Sequence, residues 1–422
     1  MNNILEFINN NKFNGILNME YGNKKYLKKM GYRNIKKNKI TKNTIFPIGS
    51  LSKIFYGFAI IILLDKSLIK SLDDKVYKYI PYFKYKKIKI IDCLLHISGI
   101  AEIRSNKFFN KNVSYSSNKF IKLIYELNLY IDNNYGKYKY SSANYFIIGK
   151  IIDILTGSSN KFLKTIFNYL RLKNTLFIDD VNNSLNFADG FDINKKIFKV
   201  PLYRKKNFYG GDICSTYQDV NTFMKNRHKL IKNNKNIKLL TKDFNIITDD
   251  YSKFGFTLIK NQKIIIGCRL ITINNIQYIV ISGHFPGYHV SSVYSLDYNI
   301  IINTFSNIDK TVHSIQHMDE LAKQFLIVLV TKYRFYSKPS LIKNIKNIKN
   351  INKYIGTYSN EYTYYKIYIK EGKLRLYSRK QDNELYHLGN NKFYRNPYSY
   401  IKITNNILYI FYYTGIVYQL KK

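Results

Sequence analysis

Apolar and polar positions alternate in short runs through the first 45 residues. Gly15-Ile16-Leu17-Asn18-Met19 leads to a turn at Tyr21-Gly22-Asn23, and a second run ends at Gly31-Tyr32, the pattern of a β-meander. After Phe46-Pro47-Ile48-Gly49-Ser50 the pattern changes. An apolar segment from Lys53 to about Leu64 is long enough for a buried helix and too short to span a bilayer. Leu72-Asp73-Asp74 and Tyr79-Ile80-Pro81 bracket a turn-rich stretch. Further helices are expected from near Ile91 to a stop at Ser98-Gly99, and from Asn144 to Leu155 with a stop at Thr156-Gly157. Strand-like runs follow at 254–259, 263–273, 276–281, 291–294 and 299–304. Helices between β-rich ends predict a layered α+β domain.

Near residue 337 the texture shifts. Ser340-Leu341-Ile342-Lys343-Asn344-Ile345-Lys346-Asn347-Ile348-Lys349-Asn350 is a low-complexity run and reads as a linker. Beyond it every segment is strand-like, at 364–369, 373–377, 400–404, 407–412 and 417–420, with hairpin turns expected at Glu371-Gly372 and Asn405-Asn406. This divides the chain into a main domain over 1–336, a linker over 337–353 and a small antiparallel β-domain over 354–422. A chain of 422 residues has the length to bury two cores.

Composition changes the picture in one respect. The formal net charge is +41, a value that points to nucleic acid or anionic surfaces where the charges cluster. Here the lysines run from end to end, in a chain rich in Asn, Ile, Tyr and Phe and without Trp. The charge reads as compositional drift, and no specific nucleic-acid partner is expected. Cys93, Cys214 and Cys268 have neither metal-like nor redox-like spacing, and three cannot all pair. No metal cluster is visible and no cofactor is expected. The opening Met1-Asn2-Asn3-Ile4-Leu5-Glu6-Phe7-Ile8 lacks the apolar core of a signal peptide. With no apolar run long enough for a transmembrane segment, a cytoplasmic protein is expected. The oligomeric state is left open.

Candidate chemistry centres on Ser50-Leu51-Ser52-Lys53. Ser-x-x-Lys recurs at Ser67 with Lys70, Ser158 with Lys161 and Ser340 with Lys343, so spacing alone does not select. Context does: Ser50 follows Phe-Pro-Ile-Gly and opens an apolar helix, with Lys53 one turn on along the same face. A serine hydroxyl needs a neighbouring base to become a nucleophile, and a lysine whose charged form is disfavoured by burial can serve.

The segment 46–53 resembles the first motif of class C β-lactamases and their relatives, the serine D-peptidases and esterases. The resemblance continues in order through Leu72-Asp73-Asp74-Lys75-Val76, Tyr79-Ile80-Pro81, Leu94-Leu95-His96-Ile97-Ser98-Gly99-Ile100 and Gly210-Gly211-Asp212-Ile213-Cys214-Ser215-Thr216-Tyr217-Gln218-Asp219-Val220, covering about residues 13–330. It implies a β-lactamase-like antiparallel sheet with helical layers, and the tail resembles the lipocalin-like domain appended to some members. His96, in a landmark that is structural in the family, is read as structural.

The family's Tyr-x-Asn motif falls at Tyr140-Ser141-Ser142, ahead of a helix. The resemblance makes Tyr140 the phenol that shares proton transfer with Lys53. Ser142 stands where Asn is usual, with less reach and one donor hydrogen, at a position that contacts substrate. The third motif, a basic residue, a second residue and Gly, can take His284 as its basic residue only by losing the glycine two residues later, and aligns better with Ile281-Ser282-Gly283, followed by His284-Phe285-Pro286-Gly287-Tyr288. Ile281 then occupies the basic position, and Ile281, Ser282 and Gly283 line the substrate site. The N–H groups of Ser50 and His284 would form the oxyanion hole, and such donors are worth roughly 3 kcal/mol each. Without a cation at 281, an ester, amide or carrier-bound acyl substrate is favoured over a β-lactam. The leading expectation is a serine hydrolase or acyltransferase working through a Ser50 acyl-enzyme on a small-molecule or peptide acyl substrate. The alternative is a homologue that keeps the fold and binds without turnover.

Overall fold

The computed structural model describes residues 13–21, 24–103, 117–182, 185–192, 197–198, 209–246, 262–273, 276–295, 300–309, 351–360, 363–378, 381–389, 392–396, 399–412 and 417–422. The strand expected at 254–259 and the linker residues 337–350 lie outside them. The described residues fall into two compact units, one built from 13–246 and 263–309 and one that includes 351–422.

The first unit is organised by a seven-stranded antiparallel sheet. Its strands are β1 (Gly15–Tyr21), β2 (Lys24–Met30), β3 (Lys263–Ile265), β4 (Cys268–Ile273), β5 (Ile276–Phe285), β6 (Tyr288–Ser295) and β7 (Ile300–Ser306), in the order β3-β4-β5-β6-β7-β1-β2. β1 lies between β7 and β2, with Leu17 opposite Thr304 on one side and Lys28 on the other. Four helices carry much of the rest: α1 (Lys53–Asp65), α2 (Ser142–Thr156), α3 (Ser159–Tyr169) and α4 (Tyr217–Asn226). α1 is buried on every side from Lys53 to Leu63, as a helix apolar all round must be. Phe55 packs on Phe223 of α4 at 4.1 Å between ring centroids and on Phe167 of α3 at 5.6 Å. Each fully buried side chain of this size contributes about 1.5–3 kcal/mol, so α1 is the fixed post of the unit. α2 is capped by Ser141 Oγ, which accepts Ala143 N–H at 3.2 Å, and ends at Gly157 with φ +79°, where Thr156-Gly157 predicts the stop.

Two elements differ from expectation. The helix expected from Ile91 to Ser98-Gly99 is a single short helix, Ile90–Leu94, after which Ser98–Ile100 is a strand paired with Tyr130–Tyr135. The chain turns at His96, which takes the left-handed φ of +58°. The run 263–273 is two strands: Ile266-Gly267 turns β3 back along β4, pairing Ile265 with Cys268. Ile264, Ile265 and Ile266 are all buried, so the run carries no alternation to mark the break.

The second unit is a nine-stranded antiparallel sheet of β8 (Gly356–Asn360), β9 (Thr363–Lys370), β10 (Lys373–Ser378), β11 (Gln381–Glu384), β12 (Tyr386–Gly389), β13 (Lys392–Asn396), β14 (Ser399–Thr404), β15 (Ile407–Tyr412) and β16 (Val417–Lys421). The order is β11-β10-β9-β8-β16-β15-β14-β13-β12. Its two edge strands are consecutive in the chain, joined through Leu385. Both hairpin turns read from sequence are present: Glu371 and Gly372, and Asn405 and Asn406, all have positive φ, the backbone of a type I′ turn. Tyr358, Ile367, Phe393, Ile401, Leu408 and Leu420 centre a separate apolar core. No helix among the described residues is long and apolar enough to cross a membrane.

Candidate active site

Ser50 sits in a one-turn 3-10 helix, Gly49–Ser52, that runs directly into α1 at Lys53. The turn is held from two directions. Phe46–Pro47 pairs with Ile213–Ser215, and Ile48 N–H donates to Ile213 O at 3.0 Å. On the other side lies β5 at Gly283 and His284. A Cβ on Gly283 would stand 1.8 Å from Ile48 O, and one on Gly49 (φ +50°) 2.5 Å from His284 O. Only glycines allow this approach, so the backbone at residue 50 and the backbone at residue 284 are neighbours.

Ser50 Oγ lies 2.7 Å from Tyr140 Oη and accepts from Lys53 Nζ at 3.1 Å. Lys53 also donates to Gly210 O at 3.0 Å. It is 4% exposed, and its ammonium stands 5.2 and 5.3 Å from the ring centres of Tyr140 and Tyr145, a cation–π setting. No carboxylate is among these contacts. The lysine is held by a hydroxyl, a carbonyl and two aromatic faces.

His96 is buried behind Tyr140, ring centroids 4.6 Å apart. Its Nδ1 accepts Ser141 N–H at 3.2 Å. Burial, then the positive charges of Lys53 and Arg269, push its pKa down to about 3, against an opposing pull from Glu102. A neutral ring that receives the Ser141 N–H holds the Tyr140-Ser141 segment in place.

The Gly210 carbonyl is itself braced. Tyr56, one turn after Lys53, donates to Asp212 Oδ2 at 2.7 Å, and Tyr209 donates to Asp153 on α2. Asp212 Oδ1 is buried with no hydrogen-bond partner. Burial raises the Asp212 pKa to about 7, opposed by the Tyr56 hydroxyl and the N–H groups of residues 211 and 212. A carboxyl whose folded pKa lies above its unfolded value contributes stability below the unfolded value, and that contribution is lost as pH rises through about 7. His96, with a lowered folded pKa, has the opposite sign: its contribution is present above its ordinary value and lost as pH falls. Asp212→Asn is therefore expected to flatten the loss of stability between pH 5 and 8, by up to about 3 kcal/mol. Urea midpoints at the two pH values measure it, and an unchanged slope would count against a buried, uncharged Asp212.

A small cleft of about 60 Å³ opens at Ser50. Its lining includes Ser50, Lys53, Tyr140, His96, Ile281 and Ser282. Gly283 and His284 form the floor contact with the nucleophile turn described above. Ser142 is placed differently: it is the first residue of α2, 2% exposed, and its N–H donates to Glu102 Oε2 at 2.9 Å. Its Oγ is buried without a partner, and it is not among the cleft's lining residues. Tyr138, Cys268 and Arg269 also line the cleft and were not singled out from sequence. Arg269 sits in an isoleucine-rich strand pattern that carries no motif.

The model of the β-lactamase family matches residues 15–325, and the chain belongs to that family. Among curated proteins, the teichoic acid D-alanine hydrolase of Staphylococcus aureus strain MRSA252 is 31% identical over 221 residues, 51% of this chain and 54% of that protein. The chain thus spans about half the length of the curated relatives it matches. Among solved structures, the octameric penicillin-binding protein homologue of Pyrococcus abyssi superposes with a TM-score of 0.66 at 18% identity, over 100% of this chain and 98% of its own. The D-amino acid amidase of Ochrobactrum anthropi SV3 gives 0.66 at 17%, over 78% and 97%. FmtA of Staphylococcus aureus gives 0.59 at 23%, over 78% and 86%. These structural likenesses establish the fold.

Proposed function

We propose that this chain is a serine hydrolase that forms an acyl-enzyme on Ser50, with a D-aminoacyl ester or amide as its substrate class. The observation that carries the reading is the pair of hydrogen bonds that joins Ser50 Oγ to Tyr140 Oη and to Lys53 Nζ. Ser50 Oγ attacks the acyl carbon and its proton passes to the Lys53–Tyr140 pair. The oxyanion is held by the Ser50 and His284 N–H groups, whose backbones adjoin. The bond from the acyl carbon to the leaving oxygen or nitrogen then breaks, and the leaving group takes the proton. Water adds to the acyl-enzyme by the reverse proton route, releasing the acid and restoring Ser50. The names of the relatives, a D-alanine hydrolase and a D-amino acid amidase, support the D-aminoacyl class.

The test is intact mass after treatment with a fluorophosphonate probe. Wild type is expected to gain one adduct, absent from Ser50→Ala and at least 100-fold slower to form in Lys53→Ala. A folded wild type that gains no adduct would sink the reading and favour a binding protein that has kept the fold.

A further inference from the structure

The direction of one carbonyl bears on Ser50. Lys53 Nζ donates to Gly210 O at 3.0 Å and to Ser50 Oγ at 3.1 Å. That carbonyl belongs to the peptide unit between Gly210 and Gly211, with a Cβ on neither side to fix its plane, and glycine backbone turns freely. Its orientation must be set from the flanks. On one flank Tyr209 donates to Asp153 on α2, and its ring packs so close to Gly149 that a Cβ there would stand 2.1 Å from Tyr209 Cγ. On the other flank Asp212 accepts from Tyr56 at 2.7 Å. Tyr56 and Lys53 lie three residues apart on α1, hence on one face of the helix, and they grip the same stretch of backbone two residues apart. Beyond Asp212 the stretch is fixed by Ile178 N–H on Asp212 O at 2.8 Å and by Ile213 N–H on Ser52 Oγ at 3.3 Å. Tyr56 is fully buried and Asp212 is 4% exposed, and neither is among the cleft's lining residues. A buried polar pair adds little net stability over two apolar side chains of similar shape, so fixing this carbonyl is the use that the surroundings leave for it.

We propose that the Tyr56–Asp212 hydrogen bond holds the Gly210 carbonyl toward Lys53, which makes Tyr56 and Asp212 positioning residues for proton transfer at Ser50. The proposal rests on the Ser50 acyl-enzyme reading for its kinetic arm and stands apart from it in its structural arm. Without the bond the Gly210-Gly211 peptide is free to rotate and Gly210 O leaves Lys53 Nζ. The ammonium then loses the anchor that fixes its distance to Ser50 Oγ.

The kinetic arm measures the rate of fluorophosphonate labelling at Ser50, with kcat and KM for p-nitrophenyl butyrate. The decisive variant carries Tyr56→Phe and Asp212→Leu together. It leaves neither partner buried and unpaired, so its melting temperature is expected to stay near that of wild type. Its labelling rate and kcat are expected to fall about 30-fold, the scale set by a catalytic group displaced within its site, with KM moving less than about threefold. Asp212→Asn keeps an oxygen that can accept from Tyr56 and is expected to recover about tenfold of what Asp212→Leu loses. Tyr56→Phe alone is expected to show the same fall, so the comparison survives a double variant that folds poorly. Labelling that follows stability, returning to the wild-type rate in a stable double variant, overturns the proposal. The structural arm compares crystal structures of wild type and Tyr56→Phe. Gly210 O is expected beyond hydrogen-bonding distance of Lys53 Nζ in the variant, and a carbonyl still bonded to Lys53 there overturns the proposal. A displaced carbonyl in a protein whose wild type takes no label would keep the positioning of Lys53 and discard the acyl-enzyme reading.

Discussion

Lys53→Met is expected to lower kcat/KM for an activated ester by about 10³-fold or more, roughly 4 kcal/mol of transition-state stabilisation, while leaving thermal stability equal or higher. The two halves of this expectation have one cause. A buried ion pair cut in half leaves an uncompensated charge and destabilises the fold by several kcal/mol. Among the described residues Lys53 has no such partner: its contacts are Ser50 Oγ, Gly210 O and the rings of Tyr140 and Tyr145. Replacing the ammonium with a flexible thioether removes the desolvation cost of a cation and keeps most of the packed volume. The losses are one donor to Gly210 O and the group that shares the Ser50 proton. Thermal melts and ester kinetics on the same preparation separate the effects. If stability fell in step with activity, or activity stayed within tenfold of wild type, Lys53 would have to be read as a structural residue.

The second large effect is expected at Gly283. An alanine there would put its Cβ 1.8 Å from Ile48 O and 3.0 Å from Leu51 N, atoms already joined by the Leu51 N–H to Ile48 O bond that forms the nucleophile turn. Neither is the tip of a flexible side chain, so β5 and the turn must separate. A stability loss of about 2–4 kcal/mol is expected from such overpacking, together with a fall of at least 100-fold in kcat/KM as the two backbones at 50 and 284 move apart. The two hydrogen bonds from Ser50 Oγ to Lys53 and Tyr140 do not involve β5, so some slow fluorophosphonate labelling should survive. Full activity in Gly283→Ala would overturn the register in which Ile281, Ser282 and Gly283 line the site.

Much of the site was legible because its spacing is local. Ser50 and Lys53 are one helical turn apart, and Tyr140 precedes a capped helix whose Ser141 and Gly157 mark both ends. The paired left-handed residues at 371–372 and 405–406 were legible for the same reason, since few residue pairs suit that backbone. Arg269 was not. It lines the cleft of Ser50 only because β4 pairs with β5, and β5 packs on a turn more than 200 residues earlier in the chain. The β3–β4 break was hidden by burial of three successive isoleucines, which erases the period-two signal. The short Ile90–Leu94 helix was overestimated because the turn depends on a left-handed histidine, a conformation that local pattern does not announce.

The position of β1 between β7 and β2 also sets the order in which the protein can come into being. During synthesis Ser50, Lys53 and Tyr140 emerge long before β5 and β7, yet β1 cannot pair with β7 until residues 300–306 have been made, and the turn at Ser50 has no Gly283 to rest against until β5 exists. Contacts spanning so much chain close slowly. The growing polypeptide therefore carries Ser50 with no finished cleft around it, and the main sheet can close only late in synthesis.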